Sequence, residues 1–267
     1  MKIVAATFVL AGALLAAALG DLGKAQGRAV VLDVGQGDAI YVRTPDGQDL
    51  LIDSGPKNGR VVEQLRAQLP RGDNQIEMVI STHFDADHSG GMVDVLNAFE
   101  VLRVVTNGVA PTTKTGREFL ETVSAKNAEL LTLARGQQLK GRGWLADIIW
   151  PASDYQTSDT NAASLVLRLL TAKQCLLLTG DLPDAAEKEL LNRATPLSCQ
   201  ALKVGHHGSK TSSTTSFLNA VNPSRALISV GAKNQYGHPT QEALGRLEAS
   251  GATIHRTDQE GSISVPL

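Results

Sequence analysis

Short apolar runs separated by turn signals recur along most of the chain, and they predict strands interleaved with helices. The runs 29–34, 39–42 and 50–52 are brief, and Thr44-Pro45-Asp46-Gly47 is the clearest turn between them, so they read as a meander of strands. At 58–69 the period lengthens, with Val61, Val62, Leu65 and Leu69 on one helical face. A buried strand at 78–80 then runs into a polar cluster, and Gly90-Gly91 opens a helix over 92–99. Strands near 103–106, 130–133 and 145–150 flank a helix near 116–128, and 151–161 is polar and irregular. A hairpin of 164–170 and 175–179 turns at Thr171-Ala172-Lys173. After it come a helix at 184–193, a strand at 201–204, a Ser/Thr-rich loop with a short helix, a strand at 226–230, a helix at 240–250 and two final strands. Nothing rich in Pro, Gly or Ser divides this region. One domain over 28–267, with layered sheets and helices outside, is the expected organisation.

The first twenty residues, MKIVAATFVLAGALLAAALG, depart from this pattern: a single Lys precedes an unbroken apolar run. The segment 1–20 reads as a secretory signal, cleaved after Ala18-Leu19-Gly20, or as an uncleaved anchor, and 21–27 as a linker. The run sits at the short edge of the roughly 17 to 25 residues that span a bilayer. Export, periplasmic or extracellular, is therefore expected, with membrane contact only through this segment if it is retained.

The chain has 267 residues, 42% hydrophobic and only 4% aromatic, so aliphatic side chains must fill one sizeable core. A formal net charge of -2 argues against a broad basic face that coats nucleic acid, while leaving room for a local basic track. Cys175 and Cys199 each precede an apolar run. The helix between those runs should make the two strands parallel neighbours, so a bridge or two reduced, buried thiols both fit.

The chemistry concentrates in STHFDADHSGG, residues 81–91. His83, Asp85, Asp87 and His88 stand too close for a loop without a cation, because adjacent carboxylates repel and none of the four fills a core. Imidazole and carboxylate are ordinary ligands for zinc, manganese and iron. Further segments share the same grammar, an apolar strand followed by a ligand-type residue: LLIDSG ends at Asp53, CLLLTGD at Asp181, and ALKVGHHGS carries His206 and His207. Taken singly, an Asp after a strand is an ordinary turn or cap residue. Their joint occurrence points to one metal site built from strands that end on the same edge.

The order LIDSG, HxDxDH, TGD and HHG resembles the metallo-β-lactamase superfamily. More narrowly, DVGQGDAIYVRTPDGQDLLIDSG, STHFDADHSGG, SLVLRL, LLLTGD, LKVGHHGSKTS and NQYGHPTQEAL resemble the hydrolase domain of ComEC-type DNA-uptake proteins, over about residues 29–265. The resemblance implies an α/β (α+β) fold, a four-layered αββα sandwich with one or two divalent metal ions, Zn or Mn, at the sheet edge. By motif, His83 and Asp85 would serve the first metal, Asp87 and His88 the second, Asp181 would bridge, and His206 would complete the second site, with His207 the alternative of the pair. Asp53 would orient the loop. Asp85 stands where most of the superfamily has His, as in the ComEC-like branch. A further His expected before the strand leading to TGD is absent, and Asn161 lies nearest, as a ligand or as a turn residue. Harder, oxygen-rich ligands favour manganese or magnesium over zinc.

Such cations activate water for attack on a phosphodiester without a Ser or Cys nucleophile. Asp87 or Asp181 would orient the water, and His207, Ser209 and Lys210 are candidate phosphate contacts. On NQYGHP, Asn234, Tyr236 and His238 lie on one loop, with His238 a candidate acid or phosphate contact and otherwise a turn histidine. In VGQGDA, Gln36 and Asp38 are candidates for a catalytic role or for a β-bulge. The expected function is an exported metal-dependent phosphodiesterase or nuclease acting on DNA. The alternatives are hydrolysis of a small ester, such as a choline phosphodiester or a lactone, and a non-catalytic module that holds DNA or a partner through the 203–210 segment.

Overall fold

A computed structural model describes residues 27–267; the 1–20 segment and nearly all of the 21–27 linker lie outside the described residues. Among the described residues no helix is long and apolar enough to cross a membrane. Two seven-stranded sheets face each other. The first holds β1 (Arg28–Val31), β2 (Ile40–Arg43), β3 (Asp49–Ile52), β4 (Gln75–Ile80), β5 (Glu100–Thr106), β6 (Glu129–Thr132) and the last strand, β14 (Ile263–Pro266). The second holds β7 (Gln138–Gly141), β8 (Trp144–Trp150), β9 (Val166–Thr171), β10 (Cys175–Leu178), β11 (Ala201–Lys203), β12 (Arg225–Ile228) and β13 (Thr253–Arg256).

Each sheet is half meander and half crossover. In the first, β14, β1, β2 and β3 pair antiparallel, and β3 to β6 pair parallel. In the second, β7 to β10 are antiparallel and β10 to β13 parallel. The parallel halves need helical crossovers, and these supply α1 (Arg60–Gln68), α2 (Ala86–Ser89), α3 (Met92–Ala98) and α4 (Lys114–Ala125) on one side, and α5 (Asp184–Asn192), α6 (Thr215–Val221) and α7 (Gln241–Ala249) on the other. A one-turn α8 (Thr257–Glu260) precedes β14.

Strand alternation divides the apolar residues into three cores. On β3, Leu50 and Ile52 face the other sheet while Leu51 packs with Val61 and Leu65 of α1. On β10, Leu176 and Leu178 point inward, whereas Leu177 packs against Leu190 of α5. The result is helix, sheet, sheet, helix, the expected αββα sandwich. Cys175 and Cys199 form a disulfide with Cα atoms 4.8 Å apart, and β10 and β11 are parallel neighbours as expected.

Three expectations needed correction. The first strand stops at Val31, because residues 32–39 leave the sheet as a loop whose Gly35 and Gly37 take positive φ. Strand β7 has too little apolar alternation to be legible; it is an exposed polar edge. The fourth helix begins at Lys114, where Thr113 caps it by accepting from the Gly116 amide, and it ends before 128.

Candidate metal centre

The parallel strands of both sheets end on one edge, and four of them, β3, β4, β10 and β11, deliver ligand-type residues there. Asp53 follows β3, His83 to His88 follow β4, Asp181 follows β10, and His206 and His207 follow β11. This is the edge at which loops after parallel strands gather polar groups. The loop 32–39 closes over it: the Asp38 amide donates to Asp87 O (3.1 Å), and a Cβ on Gly37 would lie 2.1 Å from that same oxygen, so only glycine permits the approach.

One ligand atom each from Asp87, His88, Asp181 and His207 falls within 4.8 Å of the others, and all but Asp87 are buried. His88 Nε2 is 3.1 Å from Asp181 Oδ1, and His207 Nε2 is 3.2 Å from Asp87 Oδ2 and 3.6 Å from Asp181 Oδ2. His83 stacks against His88 with ring centroids 4.2 Å apart.

Three imidazoles share one mode of attachment. His83 is tied through Nδ1 to Thr82 Oγ1 (2.9 Å), His88 through Nδ1 to Asp53 Oδ2 (2.8 Å), and His207 through Nδ1 to the Ser229 carbonyl (2.9 Å). Each then presents Nε2 to the common space, the arrangement by which a partner on one nitrogen fixes the other for a cation. His206 lacks that anchor: its Nδ1 is buried without a partner, its side chain is 29% exposed, and Nε2 lies 3.7 Å from Asp181 Oδ2. Of the histidine pair, it is therefore His207 that the fold draws into the cluster, although the motif reading favoured His206. The cause is local, since both residues adopt left-handed φ (47° and 53°) in the turn Gly205–Gly208 and the turn swings the second ring inward.

The other expected residues fall around this cluster. Asp53 accepts from the Thr82 amide (2.8 Å) and hydroxyl (2.7 Å) as well as His88, and so orients the loop. Asp85 lies 3.9 Å from His83 Nε2 and accepts from Thr160 Oγ1 (2.9 Å). Asn161 follows Thr160, with its Oδ1 buried and unpartnered. Gln36 accepts from the Gly231 amide (3.2 Å) and Asn234 folds its own loop. Ser209 bonds Thr211 and Lys210 is solvent-exposed.

Sequence reasoning missed the roles of Lys203, Thr82 and Ser229, and of Ser164, whose Oγ lies 3.3 Å from His83 Nδ1 and accepts from the Asp181 amide (3.3 Å). Lys203 is fully buried, pairs with Asp38, and donates from Nζ to Val204 O (2.8 Å). It has no surface with which to hold DNA, which removes it from the binding-module alternative. Its phase was the available signal: Leu202 and Val204 pack under the outer helices, so Lys203 must face the other sheet.

Burial works against every charge here, and the outcome depends on neighbours. For Asp38, burial raises the pKa, but the Lys203 ammonium and His207 bring it down to about 2. Burial likewise opposes charge on Asp181, yet His88 and His207 hold it well below the usual carboxylate range. His207 is lowered by burial but lifted to about 9 by Asp181, Asp38 and Asp87, and His88 is raised well above its ordinary value by Asp181 and Asp53. His83, lowered by burial and by His88, falls to about 4. His238, whose ring is 5.7 Å from that of His206, is also lowered by burial and by His206.

The residues fit a divalent cation. His83 Nε2 is buried without a hydrogen bond, and the carboxylates favour protonation of His88 and His207, so the cluster attracts positive charge. A cation must displace those protons. Metal affinity is therefore expected to rise with pH up to about 9, where His207 loses its proton and the dependence on that group levels off. The metal-free fold runs the other way, because a raised histidine pKa stabilises fully below 6.5 and the contribution is lost as pH rises through about 9. Calorimetric titration with Mn²⁺ at pH 7 in two buffers of different ionisation enthalpy should register proton release, and a buffer-independent heat would contradict this reading.

Residues 32–232 match the model of the metallo-beta-lactamase superfamily. The chain belongs to that superfamily. Among its relatives, the ComE operon protein 3 of Bacillus subtilis is 30% identical over 256 residues, covering 90% of this chain and 33% of that protein. The Competence protein ComA of Neisseria gonorrhoeae is 32% identical over 241 residues, covering 89% of this chain and 32% of that protein. The superfamily member thus spans about a third of these competence proteins. In fold it is similar to the YhfI protein of Bacillus subtilis, at a TM-score of 0.61 and 10% identity over 90% of this chain and 100% of that one.

Proposed function

We propose that this protein is an exported metal-dependent phosphodiesterase that cleaves DNA. The observation that carries the reading is the convergence of Asp87, His88, Asp181 and His207 from three strand ends, with His88 and His207 held by hydrogen bonds to their far ring nitrogens. These four residues would hold one divalent cation, and His83 and Asp85 would serve a second, for which manganese suits the carboxylate-rich set. A bound cation supplies Lewis-acid charge for a phosphoryl oxygen and a water that ionises near neutral pH.

The chain's own residues supply orientation and hydrogen bonds. Asp87 is only partly buried, and although burial raises its pKa the hydrogen bond with His207 brings it below its ordinary value, so the carboxylate stays ionised and orients the attacking water. His238 is neutral near pH 7 because its pKa is lowered, and its ring N–H donates to a phosphate oxygen as a dipole. The competence-related relatives support DNA as substrate, and the Cys175–Cys199 bridge suits an oxidising compartment.

Purified protein is incubated with plasmid and single-stranded DNA in EDTA, Mn²⁺ or Zn²⁺, beside an Asp87→Ala variant. Cleavage that depends on metal and fails in the variant supports the proposal. Cleavage indifferent to both sinks it, and hydrolysis confined to glycerophosphocholine or a lactone assigns the site to small esters.

A further inference from the structure

Tyr236 is 65% exposed, one of the few large apolar side chains left in water among the described residues. Its single ring neighbour among the described residues is His238, near-parallel at 18° with centroids 6.1 Å apart, which leaves the phenol open to solvent. From there the rings step to His206 at 5.7 Å and on to His207 of the metal cluster at 6.1 Å. Tyr236 therefore stands two ring steps beyond His206, and exposure rises outward along the series from buried His207 through His206 to Tyr236.

The loop that carries it is built to stay put. The Asn234 amide donates to Gly231 O (2.9 Å) and His238 O (2.7 Å), and its Oδ1 accepts from the amides of Tyr236 (3.1 Å) and His238 (3.0 Å). The far end is pinned to the histidine turn, where the Thr240 amide donates to Gly208 O (3.0 Å). A Cβ on Gly208 would lie 2.6 Å from Pro239 Cβ, so the two segments meet at a distance only glycine allows. An exposed aromatic held this rigidly costs solvation and gains nothing in the core. Preorganisation has value when a ligand uses the surface.

We propose that Tyr236 is a stacking platform for a nucleobase next to the scissile phosphate, making single-stranded DNA the substrate class; this rests on the phosphodiesterase reading above. A flat ring open to solvent fits a base, and base stacking on aromatics tolerates any sequence. A choline headgroup calls for an aromatic cage of several rings around its ammonium, and Tyr236 has the His238 imidazole as its single ring neighbour among the described residues.

The test measures binding of a short oligothymidylate in EDTA, so that no cleavage intervenes, to the full chain and to Tyr236→Ala, Tyr236→Phe and Tyr236→Trp, with an abasic oligomer of equal length as control. Mn²⁺ affinity of each variant is measured in parallel. Stacking predicts that Tyr236→Ala weakens binding about 5- to 100-fold, that Phe and Trp restore it, that the abasic control ignores the position, and that metal affinity is unchanged. Equal binding by Tyr236→Ala, an equal loss on the abasic oligomer, failure of both aromatic variants to restore binding, or wild-type protein that does not bind the oligomer would overturn the proposal. Tyr236-dependent binding without any metal-dependent cleavage would sink the hydrolase reading alone, and cleavage of single strands indifferent to Tyr236 would sink the platform alone.

Discussion

Replacing Asp181 by asparagine is expected to lower Mn²⁺ affinity by more than about 100-fold, beyond the 10- to 100-fold that a partner behind a ligand costs. Asp181 is 2% exposed and its two oxygens reach three imidazoles: His88 Nε2 at 3.1 Å, His207 Nε2 at 3.6 Å and His206 Nε2 at 3.7 Å. Asparagine keeps the shape and removes the charge. A cation would then sit among imidazoles with Asp87 as the one remaining carboxylate of the cluster. The fold should survive because asparagine keeps the shape, although the metal-free protein loses the stabilisation that His88 and His207 draw from the carboxylate. Equilibrium titration with Mn²⁺ measures the effect, and an affinity within a few-fold of wild type would show that Asp181 holds no metal.

The second large effect is on stability. Lys203→Met is expected to cost about 3 to 5 kcal/mol, the typical penalty for leaving one partner of a buried ion pair uncompensated. Lys203 and Asp38 both have no solvent exposure, and they join opposite sheets through the loop that Gly37 brings under Asp87. At roughly 2 to 4 °C per kcal/mol for a domain of this size, melting should fall by about 6 to 20 °C. The double variant Lys203→Met with Asp38→Asn should recover much of that loss, since the stranded charge is gone. A single variant that melts like wild type would mean the pair is not buried as described.

The sequence and the structure agree where periodicity and local spacing carry the information. His88 and Asp87 sit side by side in one short motif, so β4 and its turn deliver them together, and Asp181 follows β10 by the same rule. The helices of the outer layers were legible because their apolar faces repeat, as with Val61 and Leu65 on α1. What failed was whatever depends on backbone hand or cross-sheet partners. His206 and His207 are adjacent and chemically equal, and only the left-handed turn decides which enters. Asp38 and Lys203 are far apart in sequence and meet only once the sheets are stacked. The edge strand β7 is four residues long with Leu139 as its one apolar side chain, too short a pattern to distinguish from a loop.

Manganese-edge anomalous diffraction from crystals soaked in MnCl₂ tests the centre most directly. The account predicts a peak bonded by Asp87, His88, Asp181 and the Nε2 of His207. A peak bonded through His206 with His207 left on its carboxylates, or no peak at this sheet edge, would contradict it.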